Sequence, residues 1–399
     1  MSTGVTYPRG FSASGVAAGL KPSGALDLAM LVGDAGTTAA GLFTTNTAVA
    51  APVVLSRRHL ASGSARGVLV NSGQANAATG ARGHDDALAP LSAAAGPLGL
   101  AVGELLACST GVIGEPVHME PLLASMAGLV GALDADGGRR FAEAIMTTDT
   151  VSKQATADAG PYRVGGAAKG VGMIAPSLAT MLAFVTTDAT IGRADLNAMA
   201  RTHLAPHLES ISVDGCTSTN DSVLLFASGS AEGPPVTQSS EAWSGLAKAI
   251  EDVGASLASQ LIHDGEGVTH VMLVDLSGAA DDRAARALAA TVADSPLVKT
   301  ALFGGDPNPG RILQALGTAG AGLRADAIDV WVGETQLVHG GTIPPAYFEA
   351  DTLRAAAVAA MASPEVSIHI AVGDGPGTSR VLGCDLSYDY VRINGEYTT

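Results

Sequence analysis

KGVGMIAPSLATML, Lys169–Leu182, is the stretch on which the reading of this chain turns. A lysine and closely spaced glycines lead to the rigid Pro176, and Ser177, Leu178, Ala179 and Thr180 then precede the apolar run MLAFV. A hydroxyl beside a small residue, at the mouth of a buried strand, is where a self-cleaving enzyme can carry its nucleophile. If the Ala179–Thr180 bond breaks, Thr180 becomes a chain terminus. Its side chain is then the nucleophile and its own freed α-amine the base. An α-amine has an unperturbed pKa of about 7.7–8.0, which leaves a useful neutral fraction near pH 7. The plainer alternative is a glycine-bearing loop that enters a buried strand.

Composition narrows the classes. The 399 residues suffice for one large domain or two to three smaller ones, and 47% hydrophobic against 15% charged residues supports a sizeable core rather than disorder. The net charge is −16, with arginines paired only at Arg57–Arg58 and Arg139–Arg140. Nucleic-acid binding needs a basic stripe to neutralise phosphates, and none is present. The first ten residues, MSTGVTYPRG, carry no apolar signal segment, and the apolar-rich Ala87–Gly103 is broken by Pro90, Gly96, Pro97 and Gly99. No membrane association is expected. Three widely spaced cysteines, Cys108, Cys216 and Cys384, fit a reducing cytoplasm and read as small buried residues. His203 and His207 stand four apart with Pro206 between them and no third ligand near, so no zinc site is expected.

Helical and alternating periods both occur, so the chain is mixed α and β. Trp243, Leu246, Ile250, Val253, Leu257 and Leu261 form one helix face. That helix is expected to end at Asp264–Gly265, with Gly265 in the left-handed position. A strand over His270–Leu276 and a helix from near Asp281 come next. Val366, Ile368, Ile370 and Val372 alternate as a half-buried strand, and Gly373–Gly377 turns the chain towards Arg380–Leu386, read as its hairpin partner. Gly229–Ser240, with paired prolines, reads as a surface connection.

Further segments carry polar chemistry. CSTGVIG, Cys108–Gly114, comes after an apolar run and can present backbone N–H groups and a hydroxyl together, as a developing oxyanion needs; the alternative is a glycine turn after a strand. MTTDT, Met146–Thr150, offers hydroxyls to a small polar substrate, or is a helix stop whose aspartate caps the next element. VNSGQANAATG, Val70–Gly80, reads as a structural loop. The P-loop, HExxH and GxSxG signatures are absent from the sequence.

Together, the KGVGMIAPSLATML block, GFSASGVAAGLKPSGALDLA near the start, VNSGQANAATG, CSTGVIG, MTTDT, DGCTSTNDS (Asp214–Ser222) and the terminal NGEYTT resemble the ornithine acetyltransferase (glutamate N-acetyltransferase) family of arginine biosynthesis. The resemblance covers nearly the whole chain. It implies an α+β layered sandwich of sheets and helices, a single intertwined fold made of two self-cleaved chains, residues 1–179 and 180–399. It implies acetyl transfer from N2-acetylornithine to glutamate by a ping-pong route through an acyl-enzyme at Thr180. Thr110 and Gly111 are implied as the oxyanion hole. Thr147, Lys169, Thr180, Glu266, Asn394 and Thr399 are implied as substrate contacts, with Lys169 on the α-carboxylate and Glu266 on the δ-ammonium of ornithine. Asp264 is a weaker rival to Glu266. No metal or organic cofactor is required, and the family expectation is a cytoplasmic heterotetramer of two α and two β chains. Three readings stay open beside it: a bifunctional enzyme that also takes acetyl-CoA, a paralogous acyltransferase of secondary metabolism, and a non-catalytic assembly or binding protein on this fold. One departure stands out in SPLVKTALFGGDPNPGR, Ser295–Arg311. Pro309 occupies a place where the family usually has Trp, which bears on local packing rather than on the catalytic set.

Overall fold

The computed structural model describes residues 3–63, 65–175, 181–320, 322–349 and 351–396. Ala179, Thr180 and Thr399, expected at the cleavage site and among the substrate contacts, lie outside the described residues. The chain divides into two compact units. One comprises Met1–Glu209 with Thr217–Leu261, the other Ser210–Cys216 with Ile262–Thr398.

The first unit is built on two sheets. One joins strands Phe11–Val16, Leu28–Gly33, Gly67–Gln74 and Leu105–Val112, in that spatial order. The other runs Thr38–Phe43, Ser222–Ala227, Leu182–Thr187, Tyr162–Lys169, Lys153–Ala159. Side-chain alternation sorts the residues of the first sheet between two cores. Ala29, Leu31, Val68, Val70, Leu106 and Cys108 meet Ala167, Leu182, Phe184, Leu224 and Phe226 of the second sheet. Leu28, Met30, Leu69, Leu105 and Ala107 pack instead with Leu91 and Ala94 of helix Gly80–Leu98 and with Leu122, Met126 and Leu129 of helix Met119–Gly131. On the far side of the second sheet, Gly166 leaves room for Val253 and Leu257 of helix Ala242–His263; a Cβ there would lie 2.9 Å from the valine. The result is a helix–sheet–sheet–helix sandwich, the layered α+β class expected. Phe141 from helix Gly138–Ala144 meets Phe184 edge to face at 5.1 Å, fixing that short helix against the inner core.

The second unit holds one five-stranded sheet, ordered Thr335–Val338, Asp329–Val332, Glu365–Ala371, Val271–Gly278, Gly375–Cys384. Glu365–Ala371 alternates between exposed and buried positions as the sequence implies. The hairpin expectation is overturned. Gly375–Cys384 pairs antiparallel with Val271–Gly278, not with Glu365–Ala371, whose two edges are already taken by Asp329–Val332 and Val271–Gly278. The glycine at the end of helix Ala242–His263 is corrected too. Gly267, with φ +68°, takes the left-handed conformation rather than Gly265. A Cβ at Gly267 would sit 2.4 Å from the Tyr390 amide, so the close approach requires glycine. Pro309 stands at the first turn of helix Pro309–Thr318, where no N–H is needed, and Asn308 caps it by accepting from the Arg311 amide. Of the cysteines, Cys108 and Cys384 are buried, but Cys216 is exposed, against expectation.

No helix among the described residues is long and apolar enough to cross a membrane.

Candidate active site

The CSTG segment is not a turn after a strand. It forms the second half of strand Leu105–Val112, and VNSGQ is likewise strand, paired with it in parallel with Gly73 opposite Gly111. Gly111 has φ +125°, and a Cβ there would lie 2.2 Å from the Gly73 carbonyl oxygen. Only glycine lets the two backbones approach this closely. Asparagines lock the neighbourhood. Ser109 Oγ donates to Asn71 Oδ1, and Asn220 Nδ2 donates to the carbonyls of Ser109 and Ala75 at 2.9 and 2.6 Å. The DGCTSTNDS motif therefore braces CSTG and NSGQAN together.

Lys169 ends strand Tyr162–Lys169, opposite Leu182. It is 3% exposed, so it is not a solvated surface lysine. Its ammonium donates to Thr147 Oγ1 at 2.7 Å and to Thr110 Oγ1 at 3.2 Å. Three sequence-implied residues are thus brought into one cluster. Each threonine oxygen accepts from the cation, so each hydroxyl hydrogen is free to donate to another acceptor.

The group that organises this cluster is Asp149, for which the sequence offered only a helix-capping role. Asp149 caps no helix; the chain goes on into strand Lys153–Ala159. Asp149 Oδ1 accepts from Lys153 Nζ at 2.7 Å and from the Gly170 amide at 2.8 Å. Oδ2 accepts from the Thr147 amide at 2.9 Å and lies 3.9 Å from Lys169 Nζ. Burial alone would raise its pKa, but the Lys169 and Lys153 charges, the Lys153 hydrogen bond and the Thr147 amide overcome that and hold it at about 2. Lys21, unassigned from sequence, is pushed down to about 8, first by burial and then by the Lys169 charge, while Asp27 and Asp149 oppose the fall. Local signals for both exist in the chain: Lys153 comes four residues after Asp149, and Lys21 lies inside GLKPSG.

In the second unit, Glu266 Oε2 accepts from Asn394 Nδ2 at 2.9 Å, so these two sequence-implied contacts touch each other. Asn394 also donates to the Tyr390 carbonyl, and Tyr390 donates its hydroxyl to Asp214 at 3.0 Å.

A family model described as ArgJ family matches residues 12–399. The chain belongs to the ArgJ family. The protein from Parasynechococcus marenigrum named arginine biosynthesis bifunctional protein ArgJ is 45% identical over 405 residues, covering 100% of this chain and 96% of that protein. A protein of the same name from Geobacter sulfurreducens is 42% identical, over 98% of this chain and 99% of its own length. Among solved structures, arginine biosynthesis bifunctional protein ArgJ from Bacillus halodurans is 37% identical with a TM-score of 0.50, covering 54% of this chain and 98% of that one. Ornithine acetyltransferase of Mycobacterium tuberculosis, solved with ornithine, is 44% identical with a TM-score of 0.43, covering 44% of this chain and 95% of that one.

Proposed function

We propose that this ArgJ-family acyltransferase of arginine biosynthesis moves the acetyl group of N2-acetylornithine to glutamate through an ester on Thr180. The observation that carries the reading is the buried Lys169–Thr110–Thr147 cluster, set where Lys169 pairs with Leu182 two residues beyond Thr180. Thr180 Oγ attacks the acetyl carbonyl as its proton passes to the α-amine. Thr110 Oγ–H and the Gly111 N–H donate to the oxyanion. The carbon–nitrogen bond then breaks, the proton goes to the departing amine, and ornithine leaves. The α-amine of glutamate attacks the ester, Thr180 departs with the proton returned to it, and N-acetylglutamate is released. Lys169 takes the α-carboxylate that donor and acceptor share, and Thr147 contributes its hydroxyl. Glu266 is assigned the distal ammonium; its support is the family resemblance and its hydrogen bond from Asn394. The chemistry asks for no cofactor.

The same reading includes cleavage into residues 1–179 and 180–399, assembly as a heterotetramer and a cytoplasmic location. Strands Tyr162–Lys169 and Leu182–Thr187 flank the cut and pair in one sheet, so two cleaved pieces would share a core. The 54% coverage by nearly all of the Bacillus halodurans chain supports a piece of about that length. The bifunctional relatives favour one second reading, acetyl-CoA as a further donor to glutamate.

Intact mass and acetyl transfer test the proposal together. The wild-type chain is expected as two pieces with transferase activity, and Thr180→Ala as one inactive chain. A wild-type protein that is fully active yet never cleaved overturns the mechanism.

A further inference from the structure

Asp149 is 8% exposed overall, with its side chain wholly buried, and every acceptor position on its carboxylate faces a donor. Oδ1 takes the Lys153 ammonium and the Gly170 amide; Oδ2 takes the Thr147 amide and faces Lys169. Gly170 is the residue after Lys169, so one carboxylate grips the backbone beside the lysine and also its ammonium. It grips the Thr147 backbone while Lys169 holds the Thr147 side chain. Lys153 is 0% exposed and donates to Oδ1, the oxygen other than the one nearest Lys169. Two buried ammonium groups and one carboxylate make a cluster in which displacing one member disturbs its contacts with the others.

We propose that Asp149 is a positioning residue for the substrate carboxylate: it orients Lys169 and Thr147 as one unit and does not itself touch substrate. This rests on the assignment of Lys169 to the α-carboxylate. The consequence is specific. Without the carboxylate, Lys169 would lie near Lys153 and Lys21 as like charges, with Asp27 beside Lys21 as a compensating acid and Asp221 a weaker one, since burial favours its protonated form. Its ammonium would lose its proton at lower pH than in the wild type, and carboxylate binding would weaken as pH rises.

Asp149→Asn puts an NH2 where one oxygen stood, so donor faces donor on one side of the cluster. Binding is measured by calorimetry with N-acetylornithine and with glutamate on the Thr180→Ala chain, which cannot turn over, from about pH 6 to pH 9. Asp149→Asn in that background should weaken both ligands roughly ten- to a hundred-fold at neutral pH, as expected for one lost charge-assisted contact. The loss should deepen as pH rises and shrink as it falls. Lys299→Met is the control. It removes a buried ammonium held by the Cys384 carbonyl in the second unit, so it should lower stability without moving either affinity or its pH profile. Unchanged affinity in Asp149→Asn overturns the proposal, and so does an equal loss in Lys299→Met. If the parent chain binds neither ligand, the substrate assignment falls, an outcome distinct from Asp149→Asn binding as the parent does. If Asp149→Asn does not fold, Asp149→Glu replaces it; the longer acid keeps the charge but displaces the grip, and it should weaken both ligands without the new pH slope. Wild-type affinity in Asp149→Glu would likewise refute a positioning role.

Discussion

Gly111→Ala tests the close approach on which the oxyanion assignment depends. The new Cβ would lie 2.2 Å from the Gly73 oxygen, 2.3 Å from its carbonyl carbon and 2.9 Å from the Gln74 nitrogen. All three are backbone atoms of the paired strand, so no side-chain rotation relieves the contact. The residue must also hold φ +125° or abandon it. Backbone strain of this kind costs about 1–3 kcal/mol, and overpacking in a filled core about 1–3 kcal/mol more. A loss of about 2–6 kcal/mol is therefore expected, a large part of the roughly 5–15 kcal/mol typical of a domain. Trp243 lies in the first unit and Trp331 in the second, so Trp331→Phe leaves a single tryptophan, on the unit that holds Gly111. Urea unfolding monitored by Trp243 in a Thr180→Ala, Trp331→Phe background reads the change on an uncleaved chain. Gly128→Ala is the matched control. Gly128 is exposed in helix Met119–Gly131 with nothing within 4 Å of its built Cβ, and alanine there should stabilise by up to about 1 kcal/mol. With Thr180 restored, folded Gly111→Ala should also lose transfer activity, because the strand shift that relieves the clash moves the Gly111 N–H. A change under about 1 kcal/mol, or full activity, would refute the argument that the oxyanion N–H depends on this backbone contact.

Thr110→Val should lower kcat roughly 10²–10³-fold while leaving much of the substrate affinity, on the proposal that its hydroxyl donates to the developing oxyanion; steady-state kinetics on a folded variant with unchanged kcat would remove Thr110 from the site. Asp221 concerns pH. It is 1% exposed, its Oδ1 accepts from the Met181 amide at 3.1 Å, and its Oδ2 has no hydrogen-bond partner among the described residues. Burial drives its pKa well above the usual carboxylate range, and the Met181 amide, the Thr44 hydroxyl, the Lys169 charge and the Ser218 hydroxyl pull it back only in part. The folded state then holds this proton more tightly than the unfolded one, so wild-type stability from this group falls as pH rises past about 3.9 towards the folded value. Asp221→Asn has no proton to lose, so its stability relative to wild type should climb over that window and then level off. Unfolding curves of the pair with a constant difference from about pH 4 upward would contradict this.

The sequence alone carried the residues to which the proposed chemistry is assigned. Thr180 beside Ala179, Lys169 ahead of Pro176, and Thr110–Gly111 in CSTG are short local patterns, and the family likeness ran through them from residue to residue. Local periodicity also placed the helix of Leu246–Leu261 and the alternating strand of Val366–Ile370, because burial on one face leaves a mark every three to four or every two residues. What the sequence did not carry was partnership. Arg380–Leu386 looked like a hairpin mate for the preceding strand, yet the site it takes is the free edge of Val271–Gly278, since edges are filled by the whole sheet and not by the nearest neighbour. Asp149 looked like a helix cap until the fold set Lys153, Gly170, Thr147 and Lys169 around it. Its pKa, its grip on the cluster and its place in the proposed chemistry all arise from groups up to some twenty residues away along the chain. Charges and hydrogen bonds act through space and through the dielectric around them, and only the tertiary structure determines both.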